Sequence, residues 1–158
     1  MNGTTSKSAQ RGERGFSLIE VTIAIGVLAS VILSIASMFI LGGRSVKTGK
    51  TVTEATALAQ DIMEEFDKES FSALWVNFGA ASTDTTKSAV STTTGSIVAP
   101  WQTEIIRKLS NGTATATLDA MGPGTPNFGA AAGIKITVIV SWNELGRAQS
   151  VRLATVRF

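Results

Sequence analysis

The hydrophobic pattern along the chain changes period three times. Val21 to Leu41 is an unbroken apolar run with no charge and no proline. About twenty such residues, at 1.5 Å rise each, cross a hydrocarbon core of roughly 30 Å, and lipid offers no partner for peptide groups, so the run is predicted to be helical. Gly42-Gly43 ends it and Gly49 follows. Glycines weaken helices by about 1 kcal/mol each, which predicts a weak or hinged segment there. Apolar residues then return at Val52, Ala55, Leu58 or Ala59, Ile62 and Phe66, one face of an amphipathic helix from about Thr51 to Ser70, reaching toward Trp75. Phe78 to Pro100 is polar, rich in Ser and Thr and without period, and is predicted to be a long, partly disordered loop.

Beyond it the period becomes two. Trp101, Thr103, Ile105, Arg107 and Leu109 alternate as in a strand, and Asn111-Gly112 is a hairpin signal because both residues accept positive φ. Thr113 to Leu118 reads as the return strand, with small side chains that suit an outer position. Met121 to Gly133 contains Gly-Pro-Gly-Thr-Pro and reads as a loop. Ile134, Ile136, Val138, Val140 and Trp142 share one face of the clearest strand; Asn143 to Arg147 turns, with Gly146 supplying the unusual dihedral, and Ala148 to Phe158 returns. The predicted fold is α+β, a long N-terminal helix packed on a roughly four-stranded antiparallel sheet. Its segments are a leader (1–15), a membrane or assembly helix (16–41), an amphipathic continuation (42–77), a Ser/Thr-rich loop (78–100) and the sheet (101–158).

Charge changes this picture little. Lys7, Arg11, Arg14 and Glu13 precede Phe16; taking them from totals of 14 basic and 12 acidic residues leaves eleven of each. A balanced chain gives no ground for expecting a nucleic-acid partner. Arg107-Lys108 reads as a solvated strand edge. The acids from Asp61 to Glu69 lie around their helix rather than converging on a metal, and read as a solvated face or a charged contact between subunits. With no cysteine and no histidine, the chain lacks disulfide staples, the commonest general base and the commonest metal ligand. It has no phosphate-binding glycine loop, zinc spacing or nucleophile elbow. No cofactor, metal or catalytic site is expected. Trp101 and Trp142 read as packing residues rather than a ligand platform.

One residue breaks the apolar pattern. Glu20 sits four residues after Phe16, at the start of the run. A carboxylate at the centre of a membrane helix costs about 3 kcal/mol; near the end it can snorkel to water. Thr22, Gly26, Ser30, Ser34 and Ser37 recur at spacings of four, four, four and three and form a stripe on one face. Two readings of the stripe stand: a surface for close helix packing, or hydroxyls bonding back to their own helix. The charge on either side of the span is tied, with Lys7, Arg11 and Arg14 before it and Arg44, Lys47 and Lys50 after it, so charge alone does not orient it.

Gly15-Phe16-Ser17-Leu18-Ile19-Glu20 ahead of a membrane-length run resembles the processing motif of type IV prepilins and type II secretion pseudopilins. The ending Val140-Ser141-Trp142-Asn143-Glu144-Leu145-Gly146-Arg147, followed by a Thr- and Val-rich strand, is similar in composition and order to minor pilins and the smaller pseudopilins. The resemblance implies cleavage between Gly15 and Phe16 by a prepilin peptidase, N-methylation of Phe16, and pairing of Glu20 with the N-terminal amine of a neighbouring subunit. It implies a cytoplasmic leader, a single-pass protein of the inner membrane with an exported C-terminal domain, and incorporation into a pilus or pseudopilus. The implied partners are other pilin or pseudopilin subunits, the peptidase and methyltransferase, the inner-membrane assembly platform and membrane lipid. The chain departs from many major pilins in lacking a proline within the run and a cysteine-closed loop near its end. On physics alone the same stretch also suits an uncleaved signal anchor carrying an exported binding domain.

Overall fold

The computed structural model describes residues 15–124 and 126–158; the expected leader before Gly15 lies outside the described residues. Residues fall into two compact units that divide after Arg44. Helix α1, Leu18–Lys68, contributes to both. The segment at Gly42, Gly43 and Gly49 does not break the helix: α1 passes through all three. The local cost of each glycine is spread over a long hydrogen-bonded ladder and is outweighed by its neighbours.

The second unit is α+β, with the latter part of α1 packed on a four-stranded antiparallel sheet. Its strands are β1 (Thr86–Val90), β2 (Thr113–Met121), β3 (Gly133–Glu144) and β4 (Arg147–Arg157), in spatial order β1-β2-β3-β4. Two short helices lie between α1 and β2: α2, Phe71–Asn77, and α3, Gln102–Lys108. The core takes Ala55, Leu58, Ala59, Ile62, Met63 and Phe66 from α1, and Ile134, Ile136, Val138, Val140 and Trp142 from β3. These are the faces the two periods predict. Val52 is the exception, lying exposed.

The helix stops earlier than the pattern suggests. Ser70 is extended and its hydroxyl accepts from the Ala73 amide at 3.3 Å, so it caps a new helix instead of continuing the old one. The last turn of α1 is closed by Arg157, whose Nη1 donates to the carbonyls of Phe66 at 3.1 Å and Glu69 at 2.6 Å. A guanidinium is well matched to the orphan carbonyls and negative dipole of a helix end.

Several expectations are corrected between residues 78 and 118. The Ser/Thr-rich stretch is not a continuous loop: it contains β1, where Ser88 and Thr117 share a cross-strand hydroxyl bond at 3.0 Å and Thr86 donates to Asp119 at 2.9 Å. Trp101 to Leu109 is not a strand. A 3-10 turn at Ala99–Trp101 leads into α3. Trp101, Ile105 and Leu109, which alternate at period two, also stand four apart; they turn inward while Thr103 and Arg107 stay exposed. Glu104 pairs with Lys108 at 2.8 Å and Arg107 at 3.3 Å, pairs that only a helix brings together. Arg107-Lys108 thus ends a helix rather than edging a sheet. Finally, β2 is an inner strand between β1 and β3. Ala114, Ala116 and Leu118 are fully buried; small inward side chains suit a close-packed centre as well as an edge.

Asn111 adopts φ of 51° as the turn signal requires, but it joins α3 to β2 rather than two strands. Gly112 is needed for space: a Cβ there would lie 2.6 Å from Ile105 Cγ2 and 2.9 Å from Leu109 Cβ. The β3–β4 hairpin turns on Leu145 (φ 51°) and Gly146 (φ 76°), the two positive dihedrals of a type I′ turn.

Candidate functional site

The first unit holds the residues singled out in the sequence. Gly15, Phe16 and Ser17 precede α1, and Phe16 is 81% exposed. The helix begins as the Ser17 carbonyl accepts from the amides of Glu20 at 3.0 Å and Val21 at 3.2 Å. Glu20 lies in the first turn and is exposed. Its carboxylate makes no ion pair or hydrogen bond among the described residues.

Ser17 and Glu20 also have the Ser-x-x-Glu spacing of a capping box, a signal the motif overshadowed. The side-chain bonds of that box are not formed. An acid in the first turn still gains about 0.3–1 kcal/mol from the helix dipole in water. At the centre of a membrane helix an unpaired carboxylate costs roughly 3 kcal/mol, more than this gain.

From Phe16 to Leu41 no side chain is buried, and sixteen large apolar residues are exposed. At 1.5 kcal/mol or more for each full burial, and with these side chains already partly covered by their own helix, a cover over this surface is worth upward of roughly 15 kcal/mol. The helix is long and apolar enough to cross a membrane. In the small-residue stripe, Thr22 donates to the Leu18 carbonyl at 2.9 Å, Ser34 to Ser30 at 2.8 Å, Ser37 to Leu33 at 2.9 Å and Ser30 to Val27 at 2.7 Å. The hydroxyls are therefore satisfied within their own helix, as the second reading of the stripe expects. Gly26 has open space around it, and the stripe remains an exposed face of about 120°.

In the second unit the acids of the α1 end are on its outer side, with Glu65 paired to Lys68 at 2.8 Å. Among the described residues no three carboxylates converge as a metal site would require. Trp142 is buried in the β3 core face and Trp101 packs half-buried against the core.

A cluster that pattern reading does not find joins α1 to the β3–β4 hairpin. Glu144 accepts hydroxyl bonds from Thr48 at 3.3 Å and Thr51 at 2.9 Å. Thr48 and Thr51 share a helix face at i,i+3, but nothing in the sequence ties them to a residue more than ninety positions away.

Compared with models of protein families, with curated proteins and with solved structures, the chain matches none. The class it can be assigned to is the architectural one: an α+β domain whose first helix extends into an uncovered apolar segment of membrane-crossing length.

Proposed function

We propose that this chain is the precursor of a pilin-like structural subunit, cut between Gly15 and Phe16 and assembled through its N-terminal helix into a type IV pilus or a type II secretion pseudopilus. Its place there is as a minor component, inserted before assembly in the inner membrane with the C-terminal domain exported. The observation that carries this reading is Glu20: a carboxylate without a partner among the described residues, four positions from Phe16, at the head of an apolar helix that nothing covers. Cleavage creates the missing cation, the amine of Phe16. In a packed bundle of such helices, the amine of one subunit beside the Glu20 of the next removes an unpaired charge and fixes axial register. The stripe from Thr22 to Ser37 would let neighbouring helices approach closely, because its hydroxyls need nothing from outside.

Two measurements test it. Mass spectrometry of the mature protein should find an N-methylated Phe16 N-terminus; a start at Met1 or Asn2, or beyond Leu41, would sink the proposal. Glu20→Ala should insert and be cleaved normally but fail to enter filaments. Normal incorporation of that variant would refute the role given to Glu20, whereas absence of the parent protein from any filament would favour a signal-anchored binding domain that does not polymerise.

A further inference from the structure

A pocket of about 230 Å³ opens beside the β3–β4 hairpin, within the second unit. Lys47, Lys108, Ser110, Trp142 and Glu144 are among its lining residues. Three of their polar groups have business unfinished. The Trp142 side chain is buried, yet its indole N–H has no hydrogen-bond partner. Lys47 is exposed and makes no ion pair among the described residues. Glu144 is fixed by the Thr48 and Thr51 hydroxyls, the latter sharing its proton with the Thr48 carbonyl at 3.0 Å. No cation pairs with Glu144 among the described residues. A carboxylate has about four acceptor sites, so capacity remains.

Lys47 and Glu144 therefore line one pocket without neutralising each other. Lys108 adds a second cation, already shared with Glu104 at 2.8 Å. A pocket with separated positive and negative groups is complementary to a small zwitterion with an anionic and an ammonium end. The pocket is several times the roughly 30 Å³ of a liquid water, enough for such a group. In the chain Lys47 follows Leu41, the last residue of the apolar run, by six positions. Chain length alone keeps it within about 22 Å of that point. Leu145, at the hairpin tip and also lining the pocket, is 69% exposed in a left-handed backbone conformation that Asn or Gly adopts more easily. An apolar side chain held there at some conformational cost is suited to acyl chain beside a headgroup.

We infer that this pocket binds the headgroup of an aminophospholipid, with phosphate on Lys47 and Lys108 and the primary ammonium on Glu144. This rests on the membrane-inserted part of the reading above, not on filament assembly. The full chain, in non-ionic detergent micelles, would be titrated with short-chain phosphatidylethanolamine, phosphatidylcholine, phosphatidylglycerol and inorganic phosphate. The readout is the NMR resonance of the Trp142 indole N–H, identified by its loss in Trp142→Phe. A saturable shift is expected with the ethanolamine lipid. Binding should be at least tenfold weaker with the choline lipid, whose ammonium has no proton to donate, and with the glycerol lipid, which has no ammonium. Lys47→Gln and Glu144→Gln should each weaken binding tenfold or more while the Trp75 and Trp101 resonances report an intact fold. No shift with the ethanolamine lipid, equal affinity for all headgroups, an equal response to inorganic phosphate, or unchanged binding in either variant would overturn the inference. None of those outcomes bears on the N-terminus of the mature protein or on Glu20→Ala, so failure of the pocket and failure of the assembly reading are separately visible.

Discussion

Arg157→Met isolates the clamp on the end of α1. Methionine keeps a long apolar stem but removes the donor to the Phe66 and Glu69 carbonyls, at 3.1 and 2.6 Å. A hydrogen bond from a charged group is worth about 1.5–3 kcal/mol where water is partly excluded. One nitrogen serves both carbonyls, so the two contacts do not add fully. The cation at the helix C-terminus contributes a further 0.3–1 kcal/mol or so. Against this, the guanidinium no longer has to be partly desolvated. The net expected loss is about 2 kcal/mol, or on the order of 8 °C in melting temperature for a unit of this size. Thermal melting of the full chain in mild detergent, followed by near-UV circular dichroism, measures it. Amide exchange should quicken most between Met63 and Lys68. Arg157→Lys should fall between the two, because a lysine keeps the charge but is shorter and does not place its donor where Nη1 lies. If Arg157→Met melts within 2 °C of the parent, or if exchange quickens uniformly across the sheet instead, the clamp is not what secures the helix end.

Gly112→Ala should destabilise the second unit by about 1–3 kcal/mol, since the new methyl meets Ile105 Cγ2 at 2.6 Å; denaturant unfolding checks it, and pairing it with Ile105→Val should recover part of the loss. Glu104 has its carboxyl held below the ordinary value, first by the hydrogen bond from Lys108 and then by that lysine's charge. Its pairing therefore stabilises the fold above the ordinary carboxylate pKa and fades as pH falls through the lowered one, so any stability gap between parent and Glu104→Gln should close below that range in melting curves taken from pH 7 to pH 3. Because Glu104 is solvent-exposed, the gap should be small and should shrink in salt.

Where one period dominated and length was sufficient, the fold was legible. The apolar run, the α1 face from Ala55 to Phe66 and the β3 face from Ile134 to Trp142 all follow from spacing. The misreadings share a cause. Trp101, Ile105 and Leu109 satisfy both a two-residue and a four-residue period, and only the Glu104 pairs and Pro100 ahead of them separate the two. In β1 the alternation is carried by Thr, Lys, Ser and Ala, residues whose hydropathy scarcely differs, so the strand is decided by cross-strand hydroxyl bonds invisible along the chain. Ser70 is a helix cap by residue type, but the apolar face of the preceding helix runs straight up to it. Of the candidate site, the Phe16 to Glu20 stretch is local and can be read directly. The Glu144 cluster and the Arg157 clamp are not, because each joins residues some ninety positions apart.

That separation sets an order of events. A helix can form as soon as its residues are available, within about a microsecond, whereas the face from Ala55 to Phe66 is covered only when β3 and β4 have been made. At roughly 5–20 residues per second, synthesis of the intervening chain leaves that face bare for several seconds. During this interval the nascent chain already carries the apolar run from Val21 to Leu41. The exposed acids at Asp61, Glu64, Glu65 and Asp67 then matter before any contact is finished: they put charge on the other faces of the bare helix, which favours water over burial of its apolar side in the wrong place.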